Sequence, residues 1–574
     1  MGFRFHGWCK PSFKLKAFFG FSIGLTSMLL KNGFVVDGTG APGRRTDVLV
    51  EGEVIARLGR DLESGSATAD EVFDADGLVV CPGFVDVHSH WDLACLAAPD
   101  MAPVVAQGVT TTTGGMCGFG LAPSNPLVED YYAKLASRLL SVKPCLCADF
   151  DALARAIEEN GGISANLAYF VPHGNVRALR FGAADAPATP EDLEWMKGVV
   201  RAHMQAGAFG MSTGLVYPPG SVSTTDELVE LAKVVAEYDG LYASHVRNEG
   251  AGVLDVGLAE VFRIAREAGV RAHVAHWSVI SSRVEELVPK VLQAVRNARS
   301  EGLDVTADVT AYDDAVTPLA FVLLPTWVFE DFERNLSDPA TRARILDEIF
   351  EKVYSIFLAD APWHIRAIPK FLLRRLVFPV LAKRVTILSC TNNRSLQGTT
   401  VHQAIRRLYP GVNVRDGLLN LLRDEEGGIL ITLRTKDEER GVRPLFSEPH
   451  VSPSSDAIPV VDQRQNVHPR NYGTFPRVLQ RWVREKGWVP LEEAVRKMTS
   501  LPAGVLRLRD RGTVARGMAA DLVAFDQEEV AESGTLEDGR RFPVGIRLVV
   551  VNGVVTIRDG RHVGARAGKL LRRA

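Results

Sequence analysis

Two successive helix-and-strand units in the middle of the chain both end on histidine, and this pattern constrains the fold more than any other feature. Thr224-Thr-Asp-Glu227 offers a capping box ahead of a helix through about Glu237, which stops at Asp239-Gly240. Leu241-Tyr-Ala-Ser-His245 follows as a strand. A second helix carries Leu254, Leu258, Val261, Phe262 and Ala265 on one face, ends near Gly269, and leads into Val270-Arg-Ala-His-Val-Ala-His276. Repetition of strand, loop and amphipathic helix signals parallel βα units. In a closed barrel the carboxyl ends of such strands converge on one face, so His245 and His276 are expected to meet there.

The fold class expected on this basis is α/β: a (β/α)8 TIM-type barrel with a small β-sandwich domain built from both chain ends and an insertion after strand 7. The eight strands are expected to end near His88, Thr112, Val171, Ser212, His245, His276, Asp308 and Asp456. Residues 1–27 read as a disordered or upstream-start extension, because Met28 opens a natural strand-and-turn sequence. The apolar run after Lys14 and Lys16 resembles a weak export signal without a clean cleavage site. Residues 28–80 form the first part of the β-domain, 81–320 and 442–507 the barrel, 321–441 the insertion, and 508–574 the second part of the β-domain.

Composition narrows the partners. The 574 residues are 46% hydrophobic, enough for a large core, and 66 basic against 69 acidic residues leave a formal charge of −3. That balance provides no field for nucleic acid or an anionic membrane, so a small molecule is the expected partner; homo-oligomerisation stays open. Seven cysteines at irregular spacing make no disulfide framework, which favours a reducing, cytoplasmic setting over export or anchoring through residues 1–27. About 18 consecutive apolar residues, the length of a membrane span, occur nowhere.

Chemistry concentrates at the strand ends. His88 and His90 lie two apart at the close of Pro82-Gly-Phe-Val-Asp-Val-His88, so both imidazoles point to one side. A His-x-His pair alone is a weak signal, but His245 and His276 reinforce it. Cys117 follows the second strand in Gly114-Gly-Met-Cys117-Gly-Phe, where glycines let the backbone approach closely. Imidazole and thiolate suit zinc. One zinc ion is expected to be held tightly by Cys117, His245 and His276, with a second, weaker ion at His88 and His90 near the mouth. Cys81 and Cys95 read as small buried hydrophobes. Amide hydrolysis by an activated water also requires a proton carrier, and Asp456 suits that role; a helix N-cap after Ser455 is its competing reading.

Two further motifs match by letters. Gly210-Met-Ser212-Thr-Gly214 fits a nucleophile elbow, which makes a serine hydrolase the alternative chemistry, but Pro218 and Pro219 stand where the elbow needs a helix. Gly38-Thr-Gly40-Ala-Pro-Gly43 matches a dinucleotide fingerprint, yet a β-like run follows it and Pro42 spoils the turn.

From about Leu29 onward the chain resembles the D-aminoacylase (N-acyl-D-amino-acid deacylase) branch of the amidohydrolase superfamily. The segments that carry the resemblance include Pro82 to His90, Gly114 to Phe119, Gly210 to Tyr217, Tyr242-Ala-Ser-His245-Val-Arg-Asn-Glu249 and His468-Pro-Arg470-Asn-Tyr-Gly-Thr-Phe475. The resemblance implies that His88, His90, Cys117, His245 and His276 hold the metal, Asp456 is the catalytic base, and Tyr312 and Arg470 contact a substrate carboxylate. It implies an N-acyl-D-amino acid or a related hydrophobic N-acyl compound as substrate, with a cyclic amide as the alternative. The cysteine takes the place of the superfamily's bridging carbamylated lysine. Two positions depart from the pattern: Ser278 replaces a lysine, and Pro318 stands where a serine is usual. Phe371-Leu-Leu-Arg-Arg-Leu-Val-Phe-Pro-Val-Leu381 reads either as a core helix broken at Pro379 or as a wall of the substrate entrance. On the second reading the substrate has a long or aromatic acyl group and need not carry an α-carboxylate.

Overall fold

The computed structural model describes residues 27–573, apart from 63–68, 135–143 and positions 185, 282, 360, 362 and 436. Residues 1–26, and with them the expected extension, lie outside the described residues. Eight parallel strands close into a barrel: β1 (Phe84–Asp86), β2 (Val109–Gly114), β3 (Asn166–Tyr169, resumed at Val171–Pro172), β4 (Gly210–Gly214), β5 (Leu241–His245), β6 (Arg271–Val274), β7 (Val305–Thr310) and β8 (Val451–Ser454). Each pairs with the next in order. Just beyond their ends β8 and β1 complete the circle, with Asp456 N donating to His88 O (2.8 Å) and His90 N to Ala457 O (3.0 Å).

The amphipathic segments between strands form the outer layer. The helix Thr225–Ala236 buries Leu228, Leu231, Ala232 and Val235. The next begins as a wide turn at Val253–Leu258, continues as Ala259–Ala268, and stops where Gly269 takes a left-handed φ of 64°. Both chain ends build a separate β-layer of two sheets. One contains Ser27–Lys31, Asp47–Glu51, Val54–Gly59 and Glu71–Asp74; the other joins Val79–Pro82 to Leu522–Phe525, Ile546–Val551 and Val554–Arg558. Met28, Val48, Val50, Leu522 and Leu548 fill the core between them. The last strand, Leu570–Leu571, pairs in parallel with the start of β3.

After β7 the chain leaves the barrel. Asp314–Pro318, Thr386–Cys390 and Ile429–Arg434 form an antiparallel sheet, so the excursion starts at Asp314, ahead of Phe321. The helix Lys370–Ala382 runs unbroken through Pro379, contrary to the break expected from sequence, and buries Leu373, Val377, Phe378 and Ala382. Among the described residues no helix is long and apolar enough to cross a membrane.

One local expectation fails for an instructive reason. Thr224 caps its helix by accepting from Glu227 N (3.2 Å), but the Glu227 carboxylate does not return to close the capping box. It accepts instead from His173 Nε2 (2.9 Å) and from Arg177, and both partners are fully buried. A buried charged pair outweighs a solvent-side cap bond, since either partner alone would be stranded without water. Burial opposes ionisation of Glu227, yet His173 and Arg177 draw its carboxyl from 4.5 down to about 2. Because the folded value is depressed, the stabilisation is present above the ordinary carboxylate range and is lost as pH falls from about 4.5 towards 2. Glu227→Gln is therefore expected to cost about 3 kcal/mol near neutral pH, read as a lowered urea midpoint, and to remove that acid-side slope.

Candidate metal centre

The barrel's carboxyl end gathers the strand-terminal histidines around one cysteine. Cys117 follows β2 in a tight turn, Met116–Gly118, with φ at 50°. The turn lies against bare backbone: a Cβ on Gly214 would come within 2.1 Å of Cys117 O, and one on Gly174 within 2.5 Å of Gly118 O. Ser212 also fastens it, accepting from Gly118 N (3.1 Å) and donating to Gly115 O. Its fully buried hydroxyl is thus committed to the cysteine loop, and the next helical turn is the short Gly220–Val222. Ser212 therefore anchors the loop, and the elbow geometry of a serine hydrolase is not formed.

The Cys117 sulfur lies 3.3 Å from His88 Nε2, 3.7 Å from His276 Nε2 and 3.8 Å from His245 Nδ1. All of these side chains are buried, as is His90. His88 is the most deeply buried of them, which corrects its expected place at the mouth. Three sets of donor atoms lie within 4.8 Å of one another: His88, Cys117 and His276; His88, His90 and Asp456; and His245, Glu249 and His276. They share His88 and His276, so the three sets form one continuous cluster.

Charges in this cluster support one another. Burial raises the cost of a Cys117 thiolate, but His88, His245 and His276 hold its pKa well below the usual thiol value. Burial likewise opposes imidazolium, while Cys117 and Asp308 lift His88 to about 10 and Asp456 and Cys117 lift His90 to about 9. In the absence of a cation, protons on the imidazoles balance the buried anions. Thiolate, imidazole and carboxylate form the donor chemistry that zinc prefers, so the cluster fits that ion.

The first-strand histidines face Asp456, whose Oδ1 lies 3.6 Å from His88 Nε2 and 3.4 Å from His90 Nε2. Arg470 Nη1 stands 2.9 Å from Asp456 Oδ2. Burial opposes ionisation of Asp456; Arg470 and the histidines overcome it and hold its carboxyl well below the usual range. Arg470 is 2% exposed, and its Nε and Nη2 are buried without a hydrogen-bond partner. Tyr312 stands apart from this group: its hydroxyl donates to Glu532 (2.7 Å), the Arg477 guanidinium lies over its ring, and it is not among the side chains lining the adjacent cavity.

Sequence reasoning passed over the supporting carboxylates. Glu249 accepts from Ser278 Oγ (2.8 Å), lies 3.1 Å from His276 Nδ1, and comes within 3.8 Å of His245 Nε2. Asp308, fully buried, lies 2.9 Å from His273 Nε2 and 3.6 Å from His88 Nδ1. Such partners fix the orientation of an imidazole and raise its basicity. The signal for Glu249 was its place four residues after His245, and that for Asp308 its place at the end of β7. Ser278, one of the two departures, is thus bonded to a carboxylate that orients a histidine, and with Pro318 it lines the cavity.

The amidohydrolase family model matches residues 71–320 and 450–557, more than half of the chain. D-aminoacylase of Alcaligenes xylosoxydans xylosoxydans is 31% identical over 95% of this chain and 97% of its own length. N-acyl-D-glutamate deacylase of the same organism is 31% identical over 95% and 96%. The crystal structure of N-acyl-D-glutamate deacylase from Bordetella bronchiseptica, complexed with zinc and a phosphonate inhibitor, superposes with a TM-score of 0.76 at 29% identity, covering 95% of this chain and 99% of that one. Family model, relatives and geometry agree: the chain belongs to the amidohydrolase family.

Proposed function

We propose that this protein is a zinc-dependent deacylase that hydrolyses the amide bond of N-acyl-D-amino acids. The observation that carries the reading is the Cys117 thiolate among His88, His245 and His276, with ionised Asp456 on one side and the spare donors of Arg470 behind it. The names of the relatives, a D-aminoacylase and an N-acyl-D-glutamate deacylase, support the substrate class, and the zinc of the Bordetella enzyme supports the ion. Two unpaired guanidinium donors favour a substrate with a carboxylate over a cyclic amide, because a bidentate acceptor satisfies both.

His88, His90, Cys117, His245 and His276 would hold zinc, with Glu249 and Asp308 fixing the rings. When bound, zinc supplies Lewis-acid polarisation of the scissile carbonyl and acidifies water. Asp456, ionised at neutral pH, accepts a proton from the attacking water. The neutral carboxyl so formed beside Arg470 is a strong acid, which makes return of the proton to the leaving nitrogen favourable. Arg470 binds the substrate carboxylate with Nε and Nη2 and thereby aligns the amide over Asp456.

Purified protein is expected to hold one zinc tightly and a second weakly by elemental analysis, and Cys117→Ala is expected to lose the tight ion. Asp456→Asn is expected to lower kcat by about 10²–10⁴-fold with fold and zinc content retained; near-normal turnover in that variant would falsify its role. Because the ligands must shed protons to bind a cation, zinc added to chelator-stripped protein near pH 7 is expected to release protons, measured by an indicator dye in weak buffer.

A further inference from the structure

Beside the metal ligands opens a cavity of about 270 Å³ that continues from the barrel mouth into the insertion. Its floor holds Cys117, His245, His276, Asp456 and Arg470. Between Leu319 and Leu433 every lining side chain but one is aliphatic or aromatic, including Phe321, Val353, Val377, Leu418 and Ile431. The exception, Lys352, directs its ammonium to the Phe321 carbonyl (3.5 Å) and lends its stem to the wall. A single amino-acid side chain or an acetyl group leaves most of such a surface uncovered. The spare donors of Arg470 assign the carboxylate end of a substrate to the floor, so the apolar volume is left to the acyl chain.

We propose that the acyl group accepted by this site is a long aliphatic chain, making the substrate an N-fatty-acyl amino acid; this rests on the deacylase reading above. Kinetics on one D-amino acid carrying acetyl, octanoyl, lauroyl and palmitoyl groups test it. Transfer of chain into the cavity is expected to raise kcat/KM by roughly fourfold per methylene until the cavity is full. Val377→Trp or, separately, Leu418→Phe is expected to shift the optimum to shorter chains. Turnover that is flat or falls with chain length overturns the proposal while leaving the deacylase reading intact. Should no compound be hydrolysed, the deacylase reading fails, and calorimetry still decides the cavity: lauroyl compounds binding Asp456→Asn no more tightly than acetyl ones overturn it.

A second observation concerns the outer side of the same wall. The helix Lys370–Ala382 faces the cavity with Val377, Phe378, Leu381 and Ala382, while Phe371, Leu372, Leu376 and Val380 lie on the surface at 65, 39, 55 and 51% exposure. Trp363, 76% exposed, lies nearby in the chain. From Trp363 to Arg384 the sequence has six Lys and Arg and no acidic residue. Lys370 and Arg374 pair with Glu351 and Asp347 of the neighbouring helix Pro339–Val353; Arg366, Arg375, Lys383 and Arg384 form no ion pair among the described residues. Apolar side chains flanked in the chain by cations that form no ion pair among the described residues match the boundary of an anionic bilayer.

The geometry points to a lipid surface as the occupant of this face, placing the cavity wall where amphiphilic substrates reside. Full-length protein is expected to float with vesicles of phosphatidylcholine and phosphatidylserine, less so at high salt, and poorly with phosphatidylcholine alone. Phe371→Glu with Leu376→Glu is expected to abolish flotation while circular dichroism stays unchanged. Undiminished binding by that variant, or no binding by the wild type, overturns the proposal. Concentration-dependent self-association that the same variant removes, without vesicle binding, would give the face to a second copy of the chain instead.

Discussion

A barrel of eight parallel strands exists only if its last strand finds its first, and here that seam lies at the reactive end. Asp456 N bonds to His88 O and His90 N to Ala457 O, so the hydrogen bonds that close the cylinder also bring the proposed proton carrier beside two candidate ligands. Asp86 secures the joint by accepting from Ser455 N (3.1 Å) and from its hydroxyl. Residues nearly 370 positions apart in the chain thus meet through the backbone bonds of the seam and a buried carboxylate that braces them.

Three of the eleven described non-glycine residues with positive φ lie at the same place. Cys117, His276 and Asp456 all have positive φ, at 50°, 33° and 45°, and none is glycine. Each such conformation costs on the order of 1–3 kcal/mol and persists only where its surroundings over-determine it. For Cys117 the restraint is its contact with Gly214 and the hold that Gly174 and Ser212 have on the flanking Gly118 and Gly115. For Asp456 it is the seam. The donor atoms are therefore positioned by the fold itself, and the cost of gathering them is met when the chain folds.

How much of this was legible in the sequence depends on what each residue answers to. His88, His90, His245 and His276 could be placed because they terminate apolar strands, and strand ends converge in any parallel barrel. Cys117 could be placed because its glycine neighbours announce close backbone approach. Glu249 and Asp308 were not, since a carboxylate that orients an imidazole has no spacing rule of its own and is recognised only once neighbouring strands are in register. The elbow letters around Ser212 were rightly discounted on Pro218 and Pro219, but the serine's actual task, pinning the cysteine loop, has no letter pattern of its own. Glu227 satisfied a local capping rule and answered to a buried arginine instead. Pro379 removes a backbone donor without ending its helix, whose opposite sides are held by the cavity wall and left to the surface.

The β-layer made from both chain ends imposes an order on synthesis. Val79–Pro82 waits for Leu522–Phe525 as its antiparallel partner, and the start of β3 waits for Leu570–Leu571. At about 5–20 residues per second, the ribosome needs tens of seconds to deliver those partners after the first strands emerge. Over that interval the nascent chain exposes unpaired edges and half of an apolar core, the condition under which strands are captured by wrong neighbours. Shielding until Leu570–Leu571 leaves the tunnel keeps those edges from capture, and loss of that strand would expose the starting edge of β3 in the barrel wall.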